Sequence, residues 1–169
     1  TQSRSSAASD VYKRQAYPSK LSMAANAHAL ARYAALAQEA GMVPIVEPEV
    51  LMDGKHSAKD CFNKTSEVIK RCYDELDINK VDLKGTILKP NMILPGTDSN
   101  ETISNNEVAE MTLECLKNNV PSEVPGVAFL SGGQTEVEAT NNLNQINLKN
   151  NSNFIMTYSY GRALQQSAL

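Results

Sequence analysis

The sequence contains no tryptophan, and aromatic residues make up only 5% of it. It also lacks a basic surplus, because 16 lysine and arginine residues stand against 19 aspartate and glutamate residues, for a net charge of −3. Nucleic-acid-binding surfaces need basic stripes, and single-strand binders add aromatic side chains that stack on bases. The composition therefore argues against a nucleic-acid partner.

Long apolar runs are absent as well. No stretch approaches the roughly 20 consecutive apolar residues of a membrane-spanning helix. The first residues also lack the apolar core of a secretory signal peptide. We therefore expect no membrane partner and a cytoplasmic location.

Cysteine is scarce, with Cys61, Cys72 and Cys115 as its three occurrences and no C-x-x-C pair among them. Cys61 and Cys72 are eleven residues apart. On a helix that spacing corresponds to about 16 Å along the axis, which is too far for a disulfide. We expect three buried free thiols.

Motifs for metals and nucleotides are missing too. His28 and His56 are not grouped with Cys, Asp or Glu at metal-ligand spacing, so we expect surface or packing histidines and no metal site. The stretch from Asp53 to His56 is interpreted as a loop. Neither G-x-G-x-x-G nor G-x-x-x-x-G-K-[ST] occurs, which argues against a dinucleotide or P-loop fold.

Residues 1–15 are serine-rich, carry mixed charge and show no sustained period, which is typical of a disordered or artefactual tail. Residues 16–169 form the expected folded part. Ser19 can cap a helix over about 20–40. Its expected buried stripe consists of Leu21, Ala25, Ala29, Leu30, Tyr33, Leu36 and Ala37.

Strand and helix patterns alternate along this folded part. The predicted strands are 42–46, 85–89, 127–130 and 154–159, and the later predicted helices are 57–76, 104–118, 134–147 and from Arg162 onward. The predicted 134–147 helix carries the apolar residues Val137, Ala139, Leu143 and Ile146. Four βα units imply an α/β fold with a parallel sheet, either open and doubly wound or part of a barrel. At 169 residues the chain is too short for a complete (β/α)₈ barrel of roughly 200 to 250 residues.

Polar residues follow each predicted strand, namely Glu47, Lys89, Ser131 and Arg162. Ligands bind at the carboxyl ends of parallel strands in both architectures. A desolvated lysine is pushed towards its neutral form, so Lys89 could attack a carbonyl to form an imine. The alternative is a lysine that is paired with a carboxylate or directed outward.

Glu47 and Glu49 flank Pro48, and in an extended segment both side chains would point to one face. Two such carboxylates can differ in pKa, which leaves one of them usable as an acid or base. The alternative is a solvated acidic strand end.

Two turns could hold a phosphate group. Ser131, Gly132 and Gly133 lie where a strand runs into a helix, and their N–H and hydroxyl groups suit an anion. The segment from Ser159 to Arg162 repeats the arrangement with a guanidinium that can bind phosphate bidentately. A plain turn with a helix cap is the alternative for the glycine pair.

Four segments in this order resemble the class I fructose-bisphosphate aldolase family: AANAHALARYAALAQEAGMVPIVEPEVLMDG, GTILKPNMILPG, GVAFLSGGQTEVEATNNLNQIN and TYSYGRALQQSAL. The resemblance implies the C-terminal half of a (β/α)₈ barrel enzyme, that is, about four βα units of a partial barrel. It further implies a lyase of glycolysis and gluconeogenesis that cleaves fructose 1,6-bisphosphate to dihydroxyacetone phosphate and glyceraldehyde 3-phosphate. No metal or other cofactor is implied, because a protonated imine serves as the electron sink.

By this resemblance Lys89 is the Schiff-base lysine, Glu47 the general acid and base, and Glu49 the neighbouring carboxylate. The phosphate-binding groups implied are Ser131, Gly132, Gly133, Ser159, Gly161 and Arg162. The full-length protein is expected to be a homotetramer that binds a sugar bisphosphate.

The sequence departs from the family in three places. Lys84 replaces a usual glutamate, at the start of a strand and away from the chemistry. The first four strands, with an aspartate and two lysines of the family's active site, have no counterpart, and the tail that ends in tyrosine is missing. We therefore expect this chain alone to be inactive. The alternatives to an aldolase are an inactive fragment and a non-catalytic binding protein on the same scaffold.

Overall fold

The computed structural model describes residues 18–165 and 167. The expected tail, residues 1–15, lies outside the described residues. The described helices are α1 (Lys20–Glu39), α2 (Ala58–Ile78), α3 (Asn105–Asn119), α4 (Glu136–Lys149) and α5 (Arg162–Gln165). The strands are β1 (Ile45–Val46), β2 (Ile87–Leu88), β3 (Gly126–Phe129) and β4 (Ile155–Tyr158), and Leu83–Gly85 forms a 3₁₀ helix before β2.

The four strands form one parallel sheet in the order β1-β2-β3-β4. Helix α1 packs on α2, α2 on α3, and α3 on α4. Strand order reverses at a switch point in a doubly wound sheet, whereas here it follows chain order throughout. Each strand and each of these helices packs beside the next one of its kind along the chain, as in part of a (β/α)₈ barrel. The predicted fold class is therefore confirmed.

Reciprocal capping boxes begin three of the helices. At α3 the Ser104 hydroxyl accepts a hydrogen bond from the N–H of Glu107, and the Glu107 carboxylate accepts one from the N–H of Ser104. Each of these two bonds satisfies an N–H group at the start of the helix that has no partner within the helix. The same pairing opens α2 and α4, between Ser57 and Asp60 and between Thr135 and Glu138.

The buried face of α1 differs from the prediction. Of the predicted stripe only Ala37 is buried, while Leu21, Tyr33 and Leu36 are 80%, 52% and 61% exposed. The core side of α1 instead carries Met23, Ala27, Ala31, Ala34 and Ala37. Alanines at this spacing let the α1 backbone approach α2 closely, so the helix buries its smallest apolar side chains rather than its largest. In α4, Ala139 and Ile146 are buried, whereas Val137 is 61% exposed.

The first two strands are shorter than predicted. Met42 and Val43 were expected in a buried strand, yet they are 60% and 63% exposed, and pairing is confined to Ile45 and Val46. The partner strand begins only at Ile87, because the chain just before it is coiled into the 3₁₀ helix. Residues ahead of Pro44 therefore have no strand beside them in the described sheet.

The core lies between the sheet and the helices, with Phe129, Leu88, Val127 and Ile69 fully buried. Cys61, Cys72 and Cys115 are free and buried there, which confirms the thiol prediction. Burial raises the pKa of the Cys72 thiol to about 12, because the charged thiolate is disfavoured away from water.

Candidate active site

A cleft of about 430 Å³ opens at the carboxyl ends of the four strands. All nine residues predicted for the site line it. The lining consists of Glu47, Glu49, Leu51, Met52, Asp53, Lys89, Thr97, Leu130, Ser131, Gly132, Gly133, Ser159, Gly161 and Arg162.

Backbone hydrogen bonds continue past the strand ends and hold the site segments in register. The N–H of Lys89 donates to the carbonyl of Val46 at 2.7 Å, and the N–H of Ser159 donates to that of Phe129 at 2.8 Å. Between them, Leu130 donates to the carbonyl of Pro90 at 3.1 Å. Lys89, Leu130 and Ser159, which follow β2, β3 and β4, are therefore fixed by backbone hydrogen bonds at one edge of the sheet.

Lys89 and Glu47 form an ion pair across two neighbouring strand ends. The Nζ atom of Lys89 lies 3.0 Å from Oε2 of Glu47, and the two side chains are 20% and 44% exposed. The lysine is thus both paired with a carboxylate and turned into the cleft. A carboxylate at this distance can accept a proton from the ammonium group, which would leave a neutral amine facing the cleft.

Glu49 lies on the same side of the segment as Glu47, as the spacing predicted, since both line the cleft. Burial raises the pKa of the Glu49 carboxyl above its ordinary value, and the charge of Glu47 adds to this effect. The positive charges of Lys89 and Arg162 oppose it. The cleft therefore combines an ion-paired carboxylate with a second carboxyl that holds its proton more tightly than an ordinary glutamate.

The turn after β3 exposes backbone rather than side chains. Gly132 and Gly133 have φ angles of 56° and 81°, in the left-handed region that glycine adopts most readily. Among the described residues, neither N–H has a hydrogen-bond partner. Ser131 is buried, and its carbonyl accepts hydrogen bonds from the backbone and side chain of Gln134. Such a turn can present donors to an anion.

The fourth strand end brings a guanidinium to the same cleft. Arg162 begins α5 with an exposed side chain and is close enough to act on the charge of Glu49. The hydroxyl of Tyr160 donates to the carbonyl of Ala139 at 2.8 Å and ties this segment to α4. The cleft therefore has a cation in addition to the glycine turn, a combination that is suited to an anionic substrate.

Five lining residues were not predicted, among them Asp53 and Thr97. Both belong to loops that pair with each other, since Thr97 N–H donates to Met52 O at 2.7 Å and Asp98 N–H to Gly54 O at 2.9 Å. Gly96 is needed there, because a Cβ atom would collide with the carbonyl of Gly54. This pairing joins residues far apart in the sequence and has no periodic signal. Asp53 lies in the loop that the sequence predicts, and it lines the cleft.

The histidines lie outside the cleft lining. His28 contacts the buried carboxylate of Glu75 at 3.1 Å and so connects α1 with α2, as expected of a packing residue. His56 has a lowered pKa because of burial. Among residues 18–165 and 167 there is no group of three or more His, Cys, Asp or Glu residues placed to hold a metal. None of the helices in this part of the chain is long and apolar enough to cross a bilayer.

Comparison with known proteins shows the family to which the chain is similar. The family described as Fructose-bisphosphate aldolase class-I matches residues 9–169. The chain is 52% identical over 153 residues to "Fructose-bisphosphate aldolase 4, cytosolic" of Arabidopsis thaliana, a match that covers 90% of this chain and 39% of the relative. It is 49% identical over 152 residues to a probable class 1 aldolase of Xylella fastidiosa, which covers 90% of this chain and 46% of the relative.

A solved structure agrees with these sequences. The chain superposes with a TM-score of 0.88 and 45% identity on fructose-bisphosphate aldolase of Plasmodium falciparum, solved in complex with TRAP and a small-molecule inhibitor. The match covers 90% of this chain and 44% of that one. The chain thus spans less than half the length of the relatives that it matches here.

Proposed function

Because this chain belongs to the family of class I fructose-bisphosphate aldolases, we propose that it supplies the Schiff-base half of an aldolase active site. The observation that carries the proposal is the 3.0 Å contact between Lys89 Nζ and Glu47 Oε2 inside the cleft. The proposed substrate is fructose 1,6-bisphosphate, and the proposed products are dihydroxyacetone phosphate and glyceraldehyde 3-phosphate. The same steps run in reverse would serve gluconeogenesis.

Imine formation begins when Glu47 accepts a proton from Lys89 and the neutral amine attacks the substrate ketone. A C–N bond forms as the carbonyl π bond breaks, and one proton of the attacking nitrogen passes to the oxygen, which becomes a hydroxyl group. Glu47 then returns a proton to that hydroxyl, which leaves as water. The protonated imine that remains on Lys89 carries a positive charge next to the bond to be cleaved.

Carbon–carbon cleavage follows from this charge. Glu47 removes the proton of the hydroxyl group beyond the scissile bond, the bonding electrons move into the imine, and the aldehyde product departs. Protonation of the resulting enamine and hydrolysis of the imine release dihydroxyacetone phosphate. The imine is the electron sink in this scheme, so we propose no metal or other cofactor.

Glu49 is proposed as the neighbouring carboxyl of this proton exchange. Its raised pKa keeps a second negative charge away from the Lys89–Glu47 pair more of the time than an ordinary glutamate would. Pro48, which is buried, restricts the backbone between the two carboxyl groups.

The substrate phosphate is proposed to lie between the two turns after β3 and β4. Ser131, Gly132 and Gly133 would donate from one side, and Ser159, Gly161 and Arg162 from the other. The support for this assignment is that all six residues line the same cleft as Lys89.

The proposal concerns one part of a larger enzyme. The aspartate and two lysines that the family resemblance implies would come from sequence that the relatives have in addition to the matched part. We propose a cytoplasmic location, since two matched relatives are named cytosolic aldolases. A homotetramer remains a prediction. Retention of Lys89 beside Glu47 argues against a non-catalytic binding protein on this scaffold.

A chimera can test the proposal. Residues 18–169 replace the matching segment of the Arabidopsis relative, and cleavage of fructose 1,6-bisphosphate is measured with and without EDTA. Lys89→Met should lower kcat by at least about a thousandfold, because the covalent route is lost. Lys70→Met, which changes an exposed lysine of α2, is the control. Equal activity of the Lys89→Met variant, or activity abolished by EDTA, would contradict the proposal.

A further inference from the structure

We propose that Asn91 is a positioning residue, whose buried side chain sets the separation between the carboxylates of the Glu47–Glu49 segment and Lys89. The inference rests on the proposed function, because the atoms that it positions are those of the proposed Schiff-base site. Asn91 itself is outside the cleft lining and only 2% exposed, so it does not reach a ligand in the cleft.

The segment that carries both carboxylates is held at each end by the segment that carries the lysine. At one end, the N–H of Lys89 donates to Val46 O at 2.7 Å. At the other end, Asn91 Oδ1 accepts the N–H of Val50 at 2.9 Å. Glu47, Pro48 and Glu49 lie between these two contacts, as Pro90 lies between Lys89 and Asn91.

A side chain is needed at the second contact because the backbone cannot continue the ladder. Proline has no N–H, so neither Pro48 nor Pro90 can donate a hydrogen bond across the gap. In the described part of the chain, the Lys89–Glu47 ion pair is the only other polar contact between the two segments. Asn91 thus replaces the missing ladder bond.

The amide of Asn91 is itself fixed from behind. Its Nδ2 donates to Thr65 Oγ1 at 3.0 Å, to Met92 O at 3.1 Å and to Cys61 Sγ at 3.6 Å. Thr65 and Cys61 lie on α2 and are almost fully buried. Because acceptors surround the NH₂ group, only the amide oxygen can face Val50. The position of the Glu47–Glu49 segment is therefore fixed relative to helix α2.

Loss of this amide would leave the Val50 N–H without its partner and free the far end of the segment. The segment would then be held only by the hydrogen bond from Lys89 N–H to Val46 O. The 3.0 Å contact between Glu47 and Lys89 would therefore lengthen. Misplacement of a catalytic group by 1 Å can cost on the order of a hundredfold in rate. Glu49 would also gain contact with water, which reduces the burial that raises its pKa.

The test compares two substitutions in the chimera. Asn91→Leu keeps the size of the side chain and removes both polar groups, whereas Asn91→Asp keeps an oxygen for Val50. We expect kcat about 100-fold lower in Asn91→Leu with KM changed by no more than about twofold. Asn91→Asp should lose less than about tenfold, although its buried carboxylate also lowers the melting temperature.

Crystal structures of the variants supply a measurement that does not depend on turnover. The distance from Lys89 Nζ to Glu47 Oε2 should exceed 4 Å in Asn91→Leu, beyond ion-pair range. A retained short contact with unchanged kcat overturns the positioning role. So does an equal loss of kcat in both variants that follows their melting temperatures, because that pattern belongs to a residue that only stabilises the fold.

Two further measurements cover a variant that does not fold and a chimera that has no activity. If Asn91→Leu does not fold, Thr65→Val removes an acceptor of Nδ2 and should lower kcat several-fold at constant KM; no change would again overturn the role. If the unsubstituted chimera shows no turnover that depends on Lys89, the proposed function fails. The Lys89–Glu47 distance in the variant crystals then still decides whether Asn91 positions the segment.

Discussion

Gln134 closes the turn that it follows, because its side-chain Nε2 donates to the carbonyl of Ser131 at 2.7 Å while its backbone N–H donates to the same oxygen at 3.1 Å. Its Oε1 accepts from Asn142 Nδ2 at 2.7 Å, and Asn142 Oδ1 accepts from Asn105 Nδ2 at 2.6 Å. Three side-chain amides thus connect the glycine turn to α4 and to the start of α3.

Replacing Gln134 with Met should loosen this turn. The turn would present its donors less uniformly, so we expect KM for fructose 1,6-bisphosphate to rise about 5- to 10-fold in the chimera. The buried Asn142 would also lose a partner, which should lower the free energy of unfolding by about 1 to 3 kcal/mol. Gln145→Met on α4 is the control. Kinetics and denaturant melts that match this control would refute the role of Gln134.

Arg162→Ala tests whether this residue binds the substrate phosphate. A charge-assisted hydrogen bond contributes about 1.5 to 3 kcal/mol, so its loss should raise KM roughly 10- to 100-fold. Arg32→Ala, at an exposed position of α1, removes the same charge outside the cleft and should leave KM unchanged. Steady-state kinetics at several ionic strengths measure both variants. Unchanged KM and kcat in Arg162→Ala would remove this residue from the site.

The raised pKa of Glu49 should make the stability of the fold depend on pH. Because burial raises its pKa above the ordinary value of 4.5, the folded chain binds this proton more tightly than the unfolded chain does. The stabilisation is complete below the ordinary value and is lost as pH rises through the raised value. A glutamine in place of Glu49 cannot ionise. The melting temperature of the Glu49→Gln variant, relative to that of the unsubstituted chimera, should therefore increase as pH rises from about 4 to about 7.

The matched control for this comparison is Glu114→Gln, which removes a carboxylate from an exposed position of α3. Thermal melts of all three proteins across the pH range measure the effect. A melting-temperature difference for Glu49→Gln that stays constant with pH, or that shrinks as pH rises, would show that the carboxyl is not held in its protonated form.

Expressed by itself, the 169-residue chain should have negligible aldolase activity and should self-associate. In the described sheet β1 and β4 each have one neighbour, and open strand edges pair with other chains. Ile155 and Tyr158 of β4 are 75% and 53% exposed, although both are apolar enough for an interior. Size-exclusion chromatography, thermal melting and a cleavage assay test this. A monomer with a sharp melt and turnover near that of the chimera would contradict it.

The order of the elements and the membership of the cleft could be predicted from the sequence for a physical reason. Residues that follow parallel strands converge at one edge whatever the details of packing, so Lys89, Glu47 and the two turns had to meet there. The structure brings all of them into one cleft. Their chemical roles remain predictions.

Side-chain packing was less accessible to prediction. Helix α1 carries apolar residues on more than one face, and the choice between alanine and the larger residues Leu21, Tyr33 and Leu36 depends on how closely α2 approaches. Asn91 and Gln134 were not predicted either, because an amide becomes a support only when a fold places its partners. In the sequence both look like ordinary polar residues next to a motif.

Borohydride trapping tests most directly whether Lys89 forms the imine. The chimera is incubated with dihydroxyacetone phosphate and sodium borohydride, digested, and the modified peptide is located by mass spectrometry. We predict one reduced adduct, on Lys89, that is absent from Lys89→Met and present in Lys70→Met. An adduct on another lysine of the chain, or none under conditions that label the Arabidopsis relative, would contradict the account.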